Sequence, residues 1–401
     1  MNIFVINSGS SSIKYQLFKM PHEKPVCSGL VERIGLGDAV ITHKTYINGK
    51  EKVVKEIVQL ANHEQGLHEV ARLLIDKKNA VINDPEEIVA VAHRVVHGGE
   101  SFKATTIITQ EVKDKIKQLF SLAPLHNPAN YLGIEVAEKI FTKAKQVAVF
   151  DTAFYQTMPK KAFRYAIPEM FYTKHRIRAY GFHGTSHKYI SELATDYLGK
   201  KTAKLITIHL GNGCSITAIN AGKAVDTSMG FGPLSGLVMG TRSGDIDASV
   251  IFHLIEQLGY TAAEVSELLN KKSGMQGLTG LSDMRDVRSA IEAGDKHAEL
   301  ASEIYAYRIK KYIGSYAAVL NGLDAIVFTG GVGENANGMR LRVCRDLQYL
   351  GINLDDEKND HSTDTIKEIN SNYSPVKILV IPTNEELEIV KQSYELLNRK
   401  N

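Results

Sequence analysis

Two arginines stand in polar, glycine-rich surroundings, Arg94 within HRVVHGGE and Arg242 within MGTRSGDID. A planar guanidinium offers parallel donors to a carboxylate or to phosphoryl oxygens, so each is a candidate anion clamp; a surface charge or an ordinary ion pair is the alternative. His183 lies between glycines and His209 ends a predicted strand. Each is a candidate site residue, with a structural hydrogen-bonding histidine as the other reading. Asp151 at a strand end, and Glu385 and Glu386 beside Asn384, could serve a hydrated magnesium ion, which takes few protein oxygens. For the two glutamates, favourable charge at a helix N-terminus is the other reading. Asp245 and Asp247 read as solvated loop residues. Zinc is not indicated: no HExxH occurs, and His93 and His97 fall in strand and loop.

Small polar turns add a second kind of chemistry. Ile3 to Phe18 reads IFVINSGSSSIKYQLF, a strand, the turn Asn7-Ser8-Gly9-Ser10-Ser11-Ser12, and an alternating strand carrying Lys14. Backbone amides, hydroxyls and a lysine at a hairpin tip can bind an anion, although an ordinary Ser/Gly turn has the same composition. About two hundred residues on, the arrangement returns as TIHLGNGCSITAI, with Gly211-Asn212-Gly213 at the turn. The echo predicts that each half of the chain opens with a similar hairpin, the two turns gripping one ligand from opposite sides, with nucleotide phosphates the obvious candidate. No GxxxxGK[ST] stretch exists, which excludes a P-loop. Gly331, Gly333 and Ala336 fit GxGxxA after a strand, and Asp355 lies at the distance of a ribose-binding acid, so a dinucleotide site is the alternative. The hairpin pair favours Gly331 to Asn335 lying along an adenosine instead.

The elements that must position these groups read as α/β. Strands are expected at Val26 to Ile34, Ala39 to Ile47 and Lys50 to Val54, with an Asn48-Gly49 turn, followed by a helix burying Leu67, Val70, Leu73 and Leu74. Ile88 to Ala92 is a strand running into a loop at His93 to Gly99. Gln110 to Leu122 is a helix broken by Pro124 to Pro128, and Ala148 to Phe150 a buried strand. Later helices are expected at Ala248 to Gln257, Thr261 to Leu269 with a capping box, Ser282 to Ala293 and Asp295 to Asn321. Strands are expected at Ala325 to Phe328 and Lys377 to Ile381. The last helix presents Leu387, Val390, Tyr394 and Leu397 on one face and should return to the first domain.

At 401 residues the chain predicts two domains. Their expected bounds are 1–150 with 385–401, and 151–384. Hydrophobic residues make up 43% and charged residues 23%, and 48 basic against 45 acidic side chains leave +3. That balance argues against a nucleic-acid or membrane-surface protein. Cys27, Cys214 and Cys344 have no CxxC spacing and read as reduced thiols; with no long apolar run, a cytoplasmic location is expected.

Taken together, VINSGSSSIKYQLF, HRVVHGGE, PLHNP, FDTAF, GFHGTSH, HLGNGCSI, MGTRSGDID, SDMRD, FTGGVGEN and IPTNEEL strongly resemble the acetokinase family, over essentially the whole length. The resemblance implies two duplicated actin-like (ribonuclease H-like) α/β domains facing across a nucleotide cleft, in a homodimer. It also implies reversible transfer of a phosphoryl group from ATP to acetate, giving ADP and acetyl phosphate, with magnesium or manganese. By motif, Asn7 and Glu385 would serve the metal and Lys14 the phosphates. His209, Leu210, Gly211, Asn212, Gly213, Asp283, Met284, Arg285, Gly331, Val332, Gly333, Glu334 and Asn335 would bind the nucleotide. Arg94 would hold the acetate carboxylate, with Val96, Leu125, Phe182 and Pro233 around its methyl group. His183 and Arg242 would stabilise the moving phosphoryl group, with Asp151 as the family's catalytic acid. Acetate is ionised at neutral pH and needs no general base, so Asp151 is better read as orienting magnesium, water or an arginine.

Overall fold

The computed structural model describes residues 1–9, 11–47, 49–77, 80–124, 126–360 and 365–399. Ser10 of the first turn, Asn48 of the expected Asn48-Gly49 turn and Leu125 of the expected methyl pocket lie outside the described residues. The chain forms two units, Met1–Phe154 with Asn384–Asn401, and Tyr155–Thr383. The first boundary falls four residues beyond the expected 150, because Asp151 belongs to the first unit. Its amide donates to Val95 O at 3.1 Å and its carboxylate pairs with Arg94.

The first unit is built on β1 (Asn2–Ser8), β2 (Ile13–Lys19), β3 (Pro25–Glu32), β4 (Ala39–Ile47), β5 (Lys50–Val58), β6 (Ile88–Val95), β7 (Thr106–Ile107) and β8 (Lys145–Phe150). Their order is β5-β4-β3-β2-β1-β6-β8-β7, antiparallel through β1 and parallel from β1 through β6 to β8. The second is built on β9 (Lys204–Leu210), β10 (Cys214–Asn220), β11 (Lys223–Thr227), β12 (Ala325–Thr329), β13 (Lys367–Glu368) and β14 (Lys377–Val380), in the order β11-β10-β9-β12-β14-β13. Each sheet has the same plan. A hairpin and a third antiparallel strand lead into three parallel strands, and a two-residue antiparallel strand closes the edge. Thus β1, β2, β3, β6, β8 and β7 correspond to β9, β10, β11, β12, β14 and β13. The parallel strands are almost wholly apolar, as burial on both faces requires.

The extent of β6 differs from the sequence expectation. Pairing with β1 reaches His93, and pairing with β8 carries the strand on through Arg94 and Val95, so Arg94 stands on a strand anchored to β8 just beyond the last residue paired with β1. The helix His63–Ile75 buries Leu67, Val70, Leu73 and Leu74, with Asn62 capping it by accepting from Gln65 N at 3.0 Å. The helix Asn127–Ile140 covers β1 and β6, and the C-terminal helix Glu385–Asn398 lies against β1, β6 and β8 with Leu387, Ile389 and Val390 buried. Among the described residues no helix is long and apolar enough to cross a membrane.

Two histidines in the first unit make its stability sensitive to acid. His43 bonds to Tyr15 Oη and His93 to Gln146 Oε1, each at 2.8 Å. Burial lowers both to about 4 from the ordinary 6.5. Their folded-state values lie below the unfolded one, so stability is held above pH 6.5 and lost as pH falls from 6.5 towards 4. Each histidine contributes at most about 3 kcal/mol to that loss. The denaturant midpoint should therefore fall over this window, and H93Q should flatten the fall; an unchanged slope would remove His93 as a cause.

Candidate active site

In the first unit, the ends of β1, β6 and β8 and the start of the C-terminal helix bring Asn7, Arg94, Asp151 and Glu385 together. The Arg94 side chain is 17% exposed and that of Asp151 only 1%. Arg94 Nε donates to Asp151 Oδ1 at 3.3 Å and Nη2 to Oδ2, a fork-to-carboxylate pair. Asp151 therefore takes the Nε and Nη2 edge of the guanidinium. The Nη1 end is met by Asn7 Oδ1 at a long 3.4 Å, and Glu385 Oε2 lies 3.7 Å from Nε. Arg94 remains cationic: burial opposes its charge, and the carboxylates of Asp151 and Glu385 more than offset that. Lys14, about half exposed, pairs with Glu386 at 2.6 Å.

Three acidic side chains thus face two basic ones. Burial, together with the Asp151 and Glu386 carboxylates and against the pull of Arg94 and Lys14, pushes Glu385 up to about 7. That excess of negative charge fits a divalent cation. Among the described residues no group of three His, Cys, Asp or Glu could hold a metal by itself. One carboxylate and the Asn7 carboxamide suit magnesium, which keeps most of its water.

In the second unit, His183 and Arg242 converge on the β9–β10 turn. A Cβ built on Gly213 would lie 2.8 Å from Arg242 Nη2 and 3.3 to 3.4 Å from the His183 ring, so any larger residue would displace the groups above it. Arg242 Nη1 donates to Pro233 O at 2.6 Å, and among the described residues Arg242 has no carboxylate partner. Burial lowers its pKa below the usual arginine value, since a desolvated cation without a counter-ion is disfavoured. The loop carrying it is tied by Met239 N to Arg242 O and by Ser243 N to Leu269 O. Asp245 and Asp247, expected to be solvated loop residues, do reach solvent, Asp247 exposed and Asp245 partly so, and each also ties its loop by hydrogen bonds. Asp245 accepts from Gly236 N at 2.7 Å and Tyr312 Oη at 2.6 Å, and Asp247 caps the helix Ala248–Glu256. His183 begins the helix Gly184–Leu198 at φ 58° and stacks on His209 at 4.6 Å.

Beside that turn is a cavity of about 900 Å³. Its walls come from three segments: Gly211 and Asn212 of the turn; Ser282, Asp283, Met284, Arg285, Arg288 and Ser289; and Gly331, Val332, Asn335 and Ala336. Gly330 at φ 78° passes against Leu210, where a Cβ would meet Leu210 O at 2.7 Å, so the chain turns tightly out of β12. Of the expected nucleotide residues, His209, Leu210, Gly213, Gly333 and Glu334 are not in the walls. Glu334 holds the loops, accepting from Gly330 N at 2.8 Å and Thr383 N at 3.0 Å. The dinucleotide alternative loses its acid, because Asp355 accepts from Lys358 N as a helix cap.

Val96 is buried in the first unit, and in the second Phe182 is buried and Pro233 partly so. Sequence reasoning passed over Arg288 and Ser289, whose spacing of three and four from Arg285 puts them on the same helix face. It also passed over Asn127 and Asn130. Asn127 Oδ1 accepts from His97 N and Asn130 Oδ1 from Val96 N, while Asn130 Nδ2 donates to Ser8 O; the PLHNPAN segment was their only signal.

The sequence model of the acetokinase family matches residues 2–391. An acetate kinase of Flavobacterium johnsoniae is 58% identical over 397 residues, covering 99% of this chain and 100% of its relative. The crystal structure of Porphyromonas gingivalis acetate kinase superposes with a TM-score of 0.92 at 45% identity, covering 99% and 100% of the two chains. That of a propionate kinase from Francisella tularensis gives 0.91 at 43%, covering 98% of each.

Proposed function

Since the chain belongs to the acetokinase family, we propose that it transfers the γ-phosphoryl group of ATP to acetate by direct in-line displacement, giving ADP and acetyl phosphate reversibly. The enzyme is a kinase acting on a carboxylate, and the observation that carries this is the 58% identity to an acetate kinase along the full length. Phosphoryl transfer asks the protein mainly for positioning and charge stabilisation. The cavity beside the β9–β10 turn is the place for the nucleotide. Arg242 and His183 stabilise the charge of the moving phosphoryl group, and Arg94 holds the acetate carboxylate through Nη1 and Nη2, the edge that Asp151 leaves to it.

Asn7 and Glu385 are the residues to hold magnesium, and Lys14, released from Glu386, the one to reach the phosphates. When bound, the metal supplies charge neutralisation on the phosphate oxygens. Asp151 orients Arg94 and takes no proton. D151N should raise the acetate KM with a pH profile parallel to that of the wild type; loss of only one limb of the profile would make Asp151 an acid or base instead. A homodimer in the cytoplasm completes the reading, and the three buried free cysteines suit a reducing compartment.

Propionate is the second acceptor to weigh, because a propionate kinase matches almost as closely as an acetate kinase. One methylene in an apolar pocket discriminates by about 1 to 3 kcal/mol, or roughly ten- to two-hundredfold. An ADP-release assay should give a kcat/KM for acetate at least about tenfold above that for propionate, and the reverse order would make the chain a propionate kinase.

A further inference from the structure

Behind His183 runs a chain of buried side chains that the proposed reaction leaves without a role. His183 Nδ1 meets Ser215 Oγ at 2.9 Å, and the same oxygen meets His187 Nε2 at 2.7 Å. His187 Nδ1 in turn meets Thr207 Oγ1 at 2.7 Å. Ser215, His187 and Thr207 are all fully buried, on β10, the helix Gly184–Leu198 and β9. Each bond in such a chain needs one proton, so its direction is fixed as soon as one end is fixed.

Thr207 fixes it. Among the described residues its hydroxyl has His187 as its one polar partner. If it only accepted, its own proton would be buried and unpaired, at a cost of about 1 to 3 kcal/mol. Thr207 therefore donates to His187 Nδ1. Burial, with the neighbouring His209 ring working in the same direction, lowers the His187 pKa well below 6.5 and keeps the ring neutral, so its one proton sits on Nε2. His187 Nε2–H then donates to Ser215 Oγ, and Ser215 Oγ–H donates to His183 Nδ1. With Nδ1 accepting, the proton of neutral His183 is on Nε2.

We propose that Thr207, His187 and Ser215 form a directional hydrogen-bond relay that holds His183 as the Nε2–H tautomer, and that they are positioning residues for phosphoryl transfer. The inference rests on the reading of His183 as a phosphoryl-contacting residue. The relay makes His183 a fixed hydrogen-bond donor and opposes proton uptake at Nδ1, because Ser215 already delivers its proton there. Preorganised donors of this kind act on charge that develops in the transition state, so losing the relay should lower kcat and leave both KM values nearly unchanged.

The test uses the full-length enzyme labelled with 15N-histidine, with the His183 resonances assigned by comparison with H183A. The wild type at pH 7.5 should show His183 protonated at Nε2 with Nδ1 accepting. T207V, which keeps the shape and removes the donor, should increase the Nδ1–H population and lower kcat about tenfold, with T207S restoring both. S215A should lower kcat at least as much as T207V. A wild-type His183 protonated at Nδ1, or a T207V enzyme with wild-type spectrum and kcat, would overturn the relay. The underlying reading fails separately, if H183A keeps its kcat, whatever tautomer the wild type shows.

Discussion

Replacing Arg242 by alanine is expected to lower kcat by about three orders of magnitude or more, the range found when a transition-state arginine is lost from phosphoryl-transfer enzymes. The ATP and acetate KM values should change far less, because the interaction forms only as charge develops on the moving group. The same variant should keep or slightly raise its thermal midpoint. Arg242 is a partly buried cation that donates to a neutral carbonyl, that of Pro233, with burial working against its charge. Removing it relieves a desolvated charge and breaks no ion pair among the described residues. A steep loss of kcat without loss of stability would mark Arg242 as held for catalysis. A variant that loses both in proportion would mark it as structural.

For Arg94 the two effects should run together. R94A should raise the acetate KM about thirty- to hundredfold, from the loss of roughly 2 to 3 kcal/mol of charge-assisted hydrogen bonding, and should leave the ATP KM much less changed. It should also destabilise the protein by about 3 to 5 kcal/mol, because Asp151, 1% exposed, would be left buried without its partner. R94K separates the contributions. A lysine retains the charge that Asp151 needs and lacks the fork that a carboxylate needs, so stability should largely return and acetate affinity should not. An R94K enzyme with a wild-type acetate KM would remove Arg94 from the carboxylate site.

The fold was legible where the pattern is local. Alternating residues on either side of Asn7 to Ser12 and of Gly211 to Gly213 announced both hairpins, and Thr261 with Glu264 announced a capping box that is present. The extent of β6 was not legible, because it depends on partners more than eighty residues before and fifty after Arg94. The site divides in the same way. The Gly211-Asn212-Gly213 turn and the Gly331 to Asn335 stretch stood out through their own composition, and Gly211, Asn212, Gly331, Val332 and Asn335 line the cavity. The partners of Arg94, the role of Glu334 and the relay behind His183 arise from segments far apart in sequence, and no spacing rule reaches them. Asp245 shows the converse error. Its polar neighbours SGDID look like a solvated loop, yet Gly236 N and Tyr312 Oη both donate to its partly exposed carboxylate.

The claim on which the rest depends is that a carboxylate oxygen receives the phosphoryl group, so that the product is an acyl phosphate. Hydroxylamine traps such a product as a hydroxamate, with bond cleavage at the acyl carbon, and leaves ordinary phosphate esters untouched. Incubated with ATP, magnesium and hydroxylamine, the purified protein should form acetohydroxamate from acetate, one per ADP released, with smaller yields from propionate and butyrate. ADP release in equal amount with and without acetate, and no hydroxamate from any short carboxylate, would contradict the account and leave an ATPase of the same fold.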